Sequence, residues 1–400
     1  MPDAPHPDEL APRERVRVAL DHREPDRVPV DFLATPEIWE RLVDRLRPST
    51  SGLTGAEFFS LEREAILRHF QVDCRVISYD MFCAPPDRVM RPGAEVDWWT
   101  SLSRSTPNRM WRQHLPDGTD YDIWGHHIRI VDNPSGAYEE FVDWPLAKCT
   151  SVAELGQFDW PEPDWWDFQP VREVTRALNA ARPHHLRFRI GSIFELAWQL
   201  RGLQEFMMDL AKAPEIPHYI MDRLTDVCVE NTRRVLERAG DSIDMVYFYD
   251  DLGGQNSLLI SKAMWRKFVR PRHERLIAVA RAFGKKVMYH TDGAVRALIP
   301  ELIDMGVDVL NPLQPTAKDM APASLKQEFG DRLCFHGGID IVNTLRVGTP
   351  DEVTAEVRGC VDRLGAHGGY ILCSSHHIQA DTPIENVLAM YRLDLRPRDA

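Results

Sequence analysis

The chain has 400 residues, of which 44% are hydrophobic and 27% are charged, as in ordinary globular proteins. It contains 48 basic and 61 acidic residues, and the resulting net charge of −13 disfavours nucleic acid or an anionic membrane as the main ligand. The N-terminus lacks an apolar signal segment, no stretch reaches the roughly 18 apolar residues of a membrane helix, and the seven cysteines are scattered. We therefore expect a folded, cytoplasmic protein that neither spans a membrane nor binds nucleic acid.

Eight strand-like segments rich in Val, Ile, Phe and Tyr alternate with helical patterns along the chain. They lie at 28–32, 74–80, 187–193, 244–250, 285–290, 307–311, 333–337 and 369–374. Several are continuous apolar runs, as expected for strands buried between a packed interior and a shell of helices. The pattern predicts an α/β protein in which residues 1–400 form a single (β/α)8 TIM barrel. Gly284, Gly306 and Gly365 each follow a helical pattern and are expected to end it in a left-handed conformation.

Residues 98–145 interrupt this alternation with aromatic and β-branched residues around a DGTD turn and an NPSG turn. We interpret them as a β-meander inserted after the second strand. The segment is rich in tryptophan, and Trp160, Trp165 and Trp166 follow it closely. An aromatic satellite core is the favoured explanation. The alternative is an aromatic wall that contacts substrate through Trp124 and excludes water from the mouth of the barrel.

Polar residues follow the carboxyl ends of the predicted strands, and in a barrel these ends share one face. They are Asp80, Glu195, Asp250, Asp251, His290, Asp292, Gln314, His336 and His376. The adjacent carboxylates of YDDLGG suggest one functional aspartate at positions 250–251, although an aspartate here also commonly caps a helix. We expect Asp80 and Asp251 to act in catalysis, and Asp250, Glu195, Gln314, His336 and Trp124 to bind substrate.

The motif YHTDG places His290 and Asp292 two residues apart at a strand end, where both side chains can point the same way. With His376 they could supply three ligands to a catalytic Zn²⁺ and leave one position open. The same residues could instead act as acid and base without a metal. Cys373 is interpreted as an inert buried thiol, with a role as a thiolate ligand as the alternative.

Four segments of the second half of the chain carry a family resemblance. They are YFYDDLGGQNSLLISKAMWRKFVRPRHERLI, YHTDGAVRALIPELIDMGVDVLNPLQP, LCFHGGIDIVNTL and GGYILCSSHHIQADTPIENVLAMY. They resemble the uroporphyrinogen decarboxylase superfamily, with similarity from about residue 16 to the C-terminal helix. This resemblance implies a (β/α)8 fold and one of two activities. One is cofactor-free decarboxylation, and the other is cobalamin-linked methyl transfer involving a thiol, amine or methoxy compound.

The decarboxylase branch carries an N-terminal PVWxMRQAGR motif whose arginines bind the propionates of the substrate, whereas this chain has PVDFLATPEI at 29–38. Asp80 matches the catalytic aspartate of that branch, and His376 matches the histidine of its GHGI segment. A pocket without those guanidinium groups would bind a porphyrinogen poorly. Decarboxylation is therefore the second choice.

In the thiol-directed methyltransferases of the superfamily, zinc is held by an H-x-C pair and a later cysteine. His290 matches the first ligand, whereas Asp292 and His376 replace the two cysteines, which exchanges soft ligands for harder ones. We expect transfer of a methyl group between a small methoxy or methylamino compound and a corrinoid that is free or carried by a partner protein. A non-catalytic ligand-binding barrel is a further alternative, and a homodimer is one option for assembly.

Overall fold

The computed structural model describes residues 9–101, 108–133, 136–392 and 394–396. Twelve strands lie in these ranges: β1 Cys74–Ser78, β2 Glu95–Ser101, β3 Asn108–His114, β4 Asp120–Tyr121, β5 His127–Asn133, β6 Gly136–Asp143, β7 His185–Arg189, β8 Met245–Tyr249, β9 Lys286–His290, β10 Val309–Leu313, β11 Cys334–Ile339 and β12 Tyr370–Ser374. A seven-stranded parallel sheet has the order β1-β7-β8-β9-β10-β11-β12. Its strands fall within or beside seven of the eight predicted segments.

Helices connect and flank these strands. They are α1 Pro12–Leu20, α2 Pro36–Leu46, α3 Leu61–His69, α4 Val152–Leu155, α5 Val171–Leu178, α6 Phe194–Arg201, α7 Leu203–Lys212, α8 Glu215–Ala239, α9 Lys262–Phe268, α10 Arg270–Ala282, α11 Ile299–Met305, α12 Pro322–Phe329, α13 Thr344–Val347, α14 Pro350–Leu364 and α15 Ile384–Met390. Among the described residues, no helix has both the length and the apolar character needed to cross a bilayer.

The first predicted strand, 28–32, is not a strand of the sheet. Val30 and Ala34 form only isolated parallel bridges, to Leu372 and Ile378. The backbone N–H of Val30 donates to the side chain of Asp73 at 2.8 Å, so it is not available to a neighbouring strand. The segment therefore lies beside β12 without a continuous ladder, and closure of an eight-stranded barrel stays a prediction.

Helix α1 and the inward-facing side chains of the sheet form a small apolar cluster, which includes Val16, Leu20, Met245, Met288 and Ile371. A larger cluster fills the space between the sheet and the surrounding helices. Strands β1, β7, β10, β11 and β12 are buried along their whole length, as expected for a parallel sheet covered on both faces. Polar side chains therefore gather at the carboxyl ends of the strands.

Strands β2 to β6 form a five-stranded antiparallel sheet with the order β2-β3-β4-β5-β6. The DGTD sequence turns the chain between β3 and β4, where Thr119 N–H donates to the carboxylate of Asp117 at 3.0 Å. The centre of the NPSG sequence, at 134–135, lies outside the described residues.

The predicted helix ends are confirmed at two of three glycines. Gly284 has a φ of +66° and Gly306 has a φ of +98°, both in the left-handed region. The prediction for Gly365 is wrong: this residue is right-handed, with a φ of −76°. The chain turns instead at His367, Gly368 and Gly369, which all have positive φ. The long helical pattern at 259–284 is divided into α9 and α10 at Val269, because Pro271 fits only the first turn of a helix.

Candidate active site

A polar cavity of about 190 Å³ lies at the carboxyl end of the parallel sheet. Its lining comes from almost every strand and from the 28–34 segment. The lining residues are Asp31, Leu33, Val76, Arg187, Arg189, Glu195, Tyr247, Tyr249, Asp251, Met288, His290, Asn311, His336, His376 and His377. Predicted site residues from β8, β9, β11 and β12 thus meet in one small space.

His290 is held by a buried chain of polar contacts. Its Nδ1 atom lies 2.6 Å from Oδ1 of Asn311, whose Nδ2 lies 2.5 Å from Nδ1 of His336. Nε2 of His336 lies 2.8 Å from Asp31, which also pairs with Arg187. His336 donates through Nε2 to the Asp31 carboxylate, so its Nδ1 carries no hydrogen and accepts from the Asn311 NH2 group. The amide oxygen of Asn311 is then the atom that faces His290. His290 therefore carries its hydrogen on Nδ1, and Nε2 presents a lone pair to the cavity.

This arrangement fits a metal ion. The nearest ligand atoms of His290, Asp292 and His376 lie within 4.8 Å of one another. Nε2 of His290 is 3.9 Å from one oxygen of Asp292, and Nε2 of His376 is 3.5 Å from the other. Tetrahedral ligands of Zn²⁺ are separated by about 3.4 Å when the bonds are ~2.1 Å long. Oδ1 of Asp292 is buried and accepts no hydrogen bond from the described residues, so it lacks a cation or donor.

The loop that carries Asp292 is fixed by direct contact with the loop after β8. The backbone N–H of Asp292 donates to Asp251 at 3.0 Å, and Gly293 N–H donates to Gln314 at 2.8 Å. A Cβ atom on Gly253 would lie 2.4 Å from the Asp292 carbonyl oxygen, and Gly293 has a φ of +82°. The lack of a side chain at Gly253 therefore allows the loop after β8 to approach the loop after β9. Gln314 supports the loop from outside the cavity lining.

Asp250 and Asp251, adjacent in sequence, have different surroundings. The carboxylate of Asp250 is fully buried and accepts from the backbone N–H groups of Ile193 and Glu195, at 3.0 and 2.8 Å. Nε2 of His273 is 2.6 Å from its second oxygen. Asp250 thus caps the start of α6 and does not line the cavity, whereas Asp251 faces it, with one oxygen 3.8 Å from His290.

Glu195 lines the cavity near Asp251. Burial, followed by the negative charges of Asp251 and Asp250, raises its pKa to about 8. Its carboxyl oxygen accepts from Gln199 at 3.0 Å. In the metal-free protein the Glu195 carboxyl is therefore mostly protonated at neutral pH and can donate a proton. For His376, burial lowers the pKa, and Asp292 opposes the shift.

One wall of the cavity consists of hydrogen-bond donors that sequence reasoning missed. Arg187 and Arg189 point inward from β7, and Tyr247 and Tyr249 point inward from β8; we call these four residues the donor wall. The pocket thus contains two guanidinium groups, although not those of the PVWxMRQAGR motif, which is missing at 29–38. The sequence contains a pattern that predicts this wall: R-x-R in HLRFR and Y-x-Y in MVYFY. Alternate residues of a strand face the same side, so each pair points in one direction.

The remaining predicted residues lie away from the cavity or serve other residues. Asp80 is buried outside the cavity lining and accepts from Arg189 at 2.9 Å. His336 lines the cavity, but both of its ring nitrogens are engaged. Trp124 is 6% exposed and packs 6.0 Å from Trp166, which fits the satellite-core interpretation. Nothing is described for the side chains of Trp98 and Trp99.

Cys373 does not join the group formed by His290, Asp292 and His376. Its sulfur falls in a second group with Asp31 and His336, and the residue is fully buried. Burial raises the pKa of the thiol well above its ordinary value. This placement agrees with an inert thiol.

A larger cavity of about 830 Å³ lies near the amino ends of β1 and β7. Its three arginines are already paired: Arg27 with Asp73, Arg68 with Glu64 and Arg182 with Glu9. Among the described residues, neither group of clustered ligand atoms falls in this cavity, so its size does not identify the site.

The chain is similar to known proteins over much of its length. The family model described as uroporphyrinogen decarboxylase (URO-D) matches residues 143–393, more than half of the chain. A methylated-thiol--coenzyme M methyltransferase of Methanosarcina mazei is 25% identical over 200 residues, which span 50% of this chain and 50% of that protein. The match thus covers about half the length of this curated relative.

A solved structure described as a methyltransferase from Methanosarcina mazei shares the fold, with a TM-score of 0.62. The two chains are 18% identical, and the alignment covers 96% of this chain and 97% of the other. The chain therefore belongs to the uroporphyrinogen decarboxylase family, and its named relatives lie in the methyltransferase branch.

Proposed function

We propose that the protein transfers a methyl group between a small methylated compound and a corrinoid, and that His290, Asp292 and His376 bind a metal ion for this reaction. The observation that carries the proposal is the directed lone pair of His290, which lies beside an unpartnered carboxylate oxygen of Asp292 at a small cavity. The methyltransferase names of the relatives support the reaction class. The lack of the arginine-bearing PVWxMRQAGR motif at 29–38 argues against decarboxylation of a porphyrinogen.

The residues fit Zn²⁺, which would act as a Lewis acid on the heteroatom that carries the methyl group. The corrinoid implied by the family resemblance would supply the methyl acceptor. It exceeds the cavity in size and would approach from the mouth, free or on a partner protein.

The chain's own residues can orient the substrate and supply a proton. When the bond between heteroatom and methyl carbon breaks, the heteroatom keeps the electron pair and needs a proton to leave as a neutral group. The protonated carboxyl of Glu195 lines the cavity and can donate it. Asp251 holds the backbone of Asp292 in place from the neighbouring loop. In the reverse direction, Glu195 would take the proton back.

Metal analysis of the purified full chain, followed by a spectroscopic assay, tests this proposal. We expect about one Zn²⁺ per chain, lost in His290→Ala and retained in the control His69→Ala, whose side chain is exposed on another face. Mixing the zinc-loaded protein with Co(I) corrinoid and methoxy or methylamino compounds should change the corrinoid absorption spectrum. A metal-free preparation that does not take up zinc would refute the metal site. An unchanged spectrum with every compound would refute methyl transfer.

A further inference from the structure

The donor wall contains nitrogen atoms with no acceptor in the described part of the chain. Nε of Arg187 is buried without a hydrogen-bond partner. Arg189 uses only Nη1 in its contacts with Asp80 and Ser78, at 2.9 and 3.4 Å. Its other nitrogens form no hydrogen bond to a described residue. Nε of Arg187 is enclosed by protein atoms, whereas the remaining nitrogens of Arg189 can be satisfied from within the cavity or by solvent.

Two phenolic hydroxyls extend this set of donors. Neither Tyr247 nor Tyr249 hydrogen-bonds through its hydroxyl to another described residue, and both line the cavity. The guanidinium carbon of Arg189 lies 4.2 Å from the centre of the Tyr249 ring, which holds the two side chains together. Burial raises the pKa of both tyrosines above the ordinary value, so both hydroxyls keep their protons and can donate.

The donor wall offers N–H and O–H groups to a ligand in the cavity. Asp31, which also lines the cavity, pairs with Arg187, and Asp80, outside the lining, pairs with Arg189. The wall adjoins the proposed metal ligands: the Tyr247 and His290 rings pack edge to face with their centres 6.3 Å apart. A small ligand in the cavity could therefore contact both Tyr247 and His290.

We propose that the donor wall binds a carboxylate or sulfonate group of the substrate, while the methylated heteroatom lies at His290, Asp292 and His376. Planar guanidinium groups and phenol hydroxyls suit such oxyanions. The substrate is then a small methylated acid and not a methylammonium compound. This inference rests on the proposed methyl transfer at the same cavity and narrows its substrate class.

A matched series of four probes tests the charge preference: 4-methoxybenzoate, 4-methoxybenzenesulfonate, neutral 4-methoxybenzamide and cationic 4-methoxybenzylamine. Binding to the zinc-loaded full chain is measured by calorimetry without corrinoid. We expect at least one anion to bind about ten-fold or more tightly than the amide, because hydrogen bonds to a charged group are the stronger ones. The anion that binds tighter identifies carboxylate or sulfonate as the preferred group.

Variants then locate the binding group. Replacing Tyr247 and Tyr249 together by Phe should weaken anion binding about ten-fold and leave amide binding nearly unchanged. This double variant removes two hydroxyls that no described residue uses, so it should fold normally, whereas Arg189→Met would leave Asp80 unpaired. Tyr138→Phe, on the exposed face of β6, is the control and should have no effect.

Equal binding of anions and the amide would overturn the inference, and so would unchanged anion binding in the double variant. The two proposals fail separately. Tight anion binding with an unchanged corrinoid spectrum would refute methyl transfer and keep the donor wall. Methyl transfer from neutral or cationic methoxy compounds, with no advantage for anions, would refute the donor wall and keep the reaction.

Discussion

Nδ1 of His290 lies 2.6 Å from Oδ1 of Asn311, and this contact determines which nitrogen of His290 faces the cavity. A histidine that binds a metal through one nitrogen usually donates through the other, and such an outer partner affects metal affinity strongly. Asn311 is thus a positioning residue for the proposed site. It links His290 to the buried chain that ends at Asp31 and Arg187.

Replacing Asn311 should weaken zinc binding without removing a ligand. We expect Asn311→Ala to lower the affinity about 10- to 100-fold, and Asn311→Asp to lower it less, because aspartate keeps an acceptor for His290. Competition with a coloured chelator measures the affinity, and Asn256→Ala, on an exposed loop, is the control. Parental affinity in Asn311→Ala would show that this contact does not orient His290.

The neighbours Asp250 and Asp251 should respond in opposite ways to replacement. Asp250→Ala removes a buried acceptor from two backbone N–H groups and His273, so the free energy of unfolding should fall by about 3–5 kcal/mol. Asp251→Ala should cost less than about 1 kcal/mol but reduce methyl transfer, since it frees the backbone of Asp292. Urea unfolding and the corrinoid assay measure the two effects. Equal losses of stability in Asp250→Ala and Asp251→Ala would contradict a structural role for Asp250 and a cavity-facing role for Asp251.

Acidification should destabilise the fold through buried histidines. Burial lowers the pKa of His185 to about 4, although Asp244 opposes the shift, and burial lowers the pKa of His184 to about 3. Unfolded histidine titrates near pH ~6.5, so between about pH 6.5 and 4 the unfolded state binds more protons. Stability from these groups is therefore complete above about pH 6.5 and is lost as the pH falls.

For His185 alone, the loss amounts to about 3 kcal/mol over this window. Urea unfolding at several pH values measures it. The slope should be shallower in His185→Gln than in the parent, whereas the exposed-site control His69→Gln should keep the parental slope. Parallel curves for all three proteins would exclude His185 as a source of the acid sensitivity.

Glu195 should give methyl transfer an upper pH limit. Its pKa of about 8 means that the carboxyl loses its proton as the pH rises through that value. We expect the rate of demethylation to fall as the pH rises through the pKa of this carboxyl, which a bound cation would lower relative to the metal-free protein. Glu195→Gln should lower the rate about 10²- to 10⁴-fold, as expected for loss of a proton donor, and remove this limb of the profile. A parental pH profile in the variant would assign proton transfer to another group.

The sequence predicts the parallel strands well because their apolar runs are continuous and local. It fails at 28–32, where the side chain of Asp73, 43 residues away, takes the N–H of Val30. It places His290, Asp292 and His376 at the correct strand ends, and the structure brings their ligand atoms together. It cannot separate Asp250 from Asp251, because only the fold shows which of them faces the start of α6.

Along β7 and β8, even-numbered side chains pack in the core, and the odd-numbered side chains of the donor wall line the cavity. Leu186, Phe188, Val246 and Phe248 pack against the helical layer, whereas the donor wall faces the cavity. Substrate charge preference could therefore be redesigned at inward positions while the packing positions stay constant. Such a redesign has one constraint: Arg189 and Asp80 must change together, since either one alone would leave a buried charge.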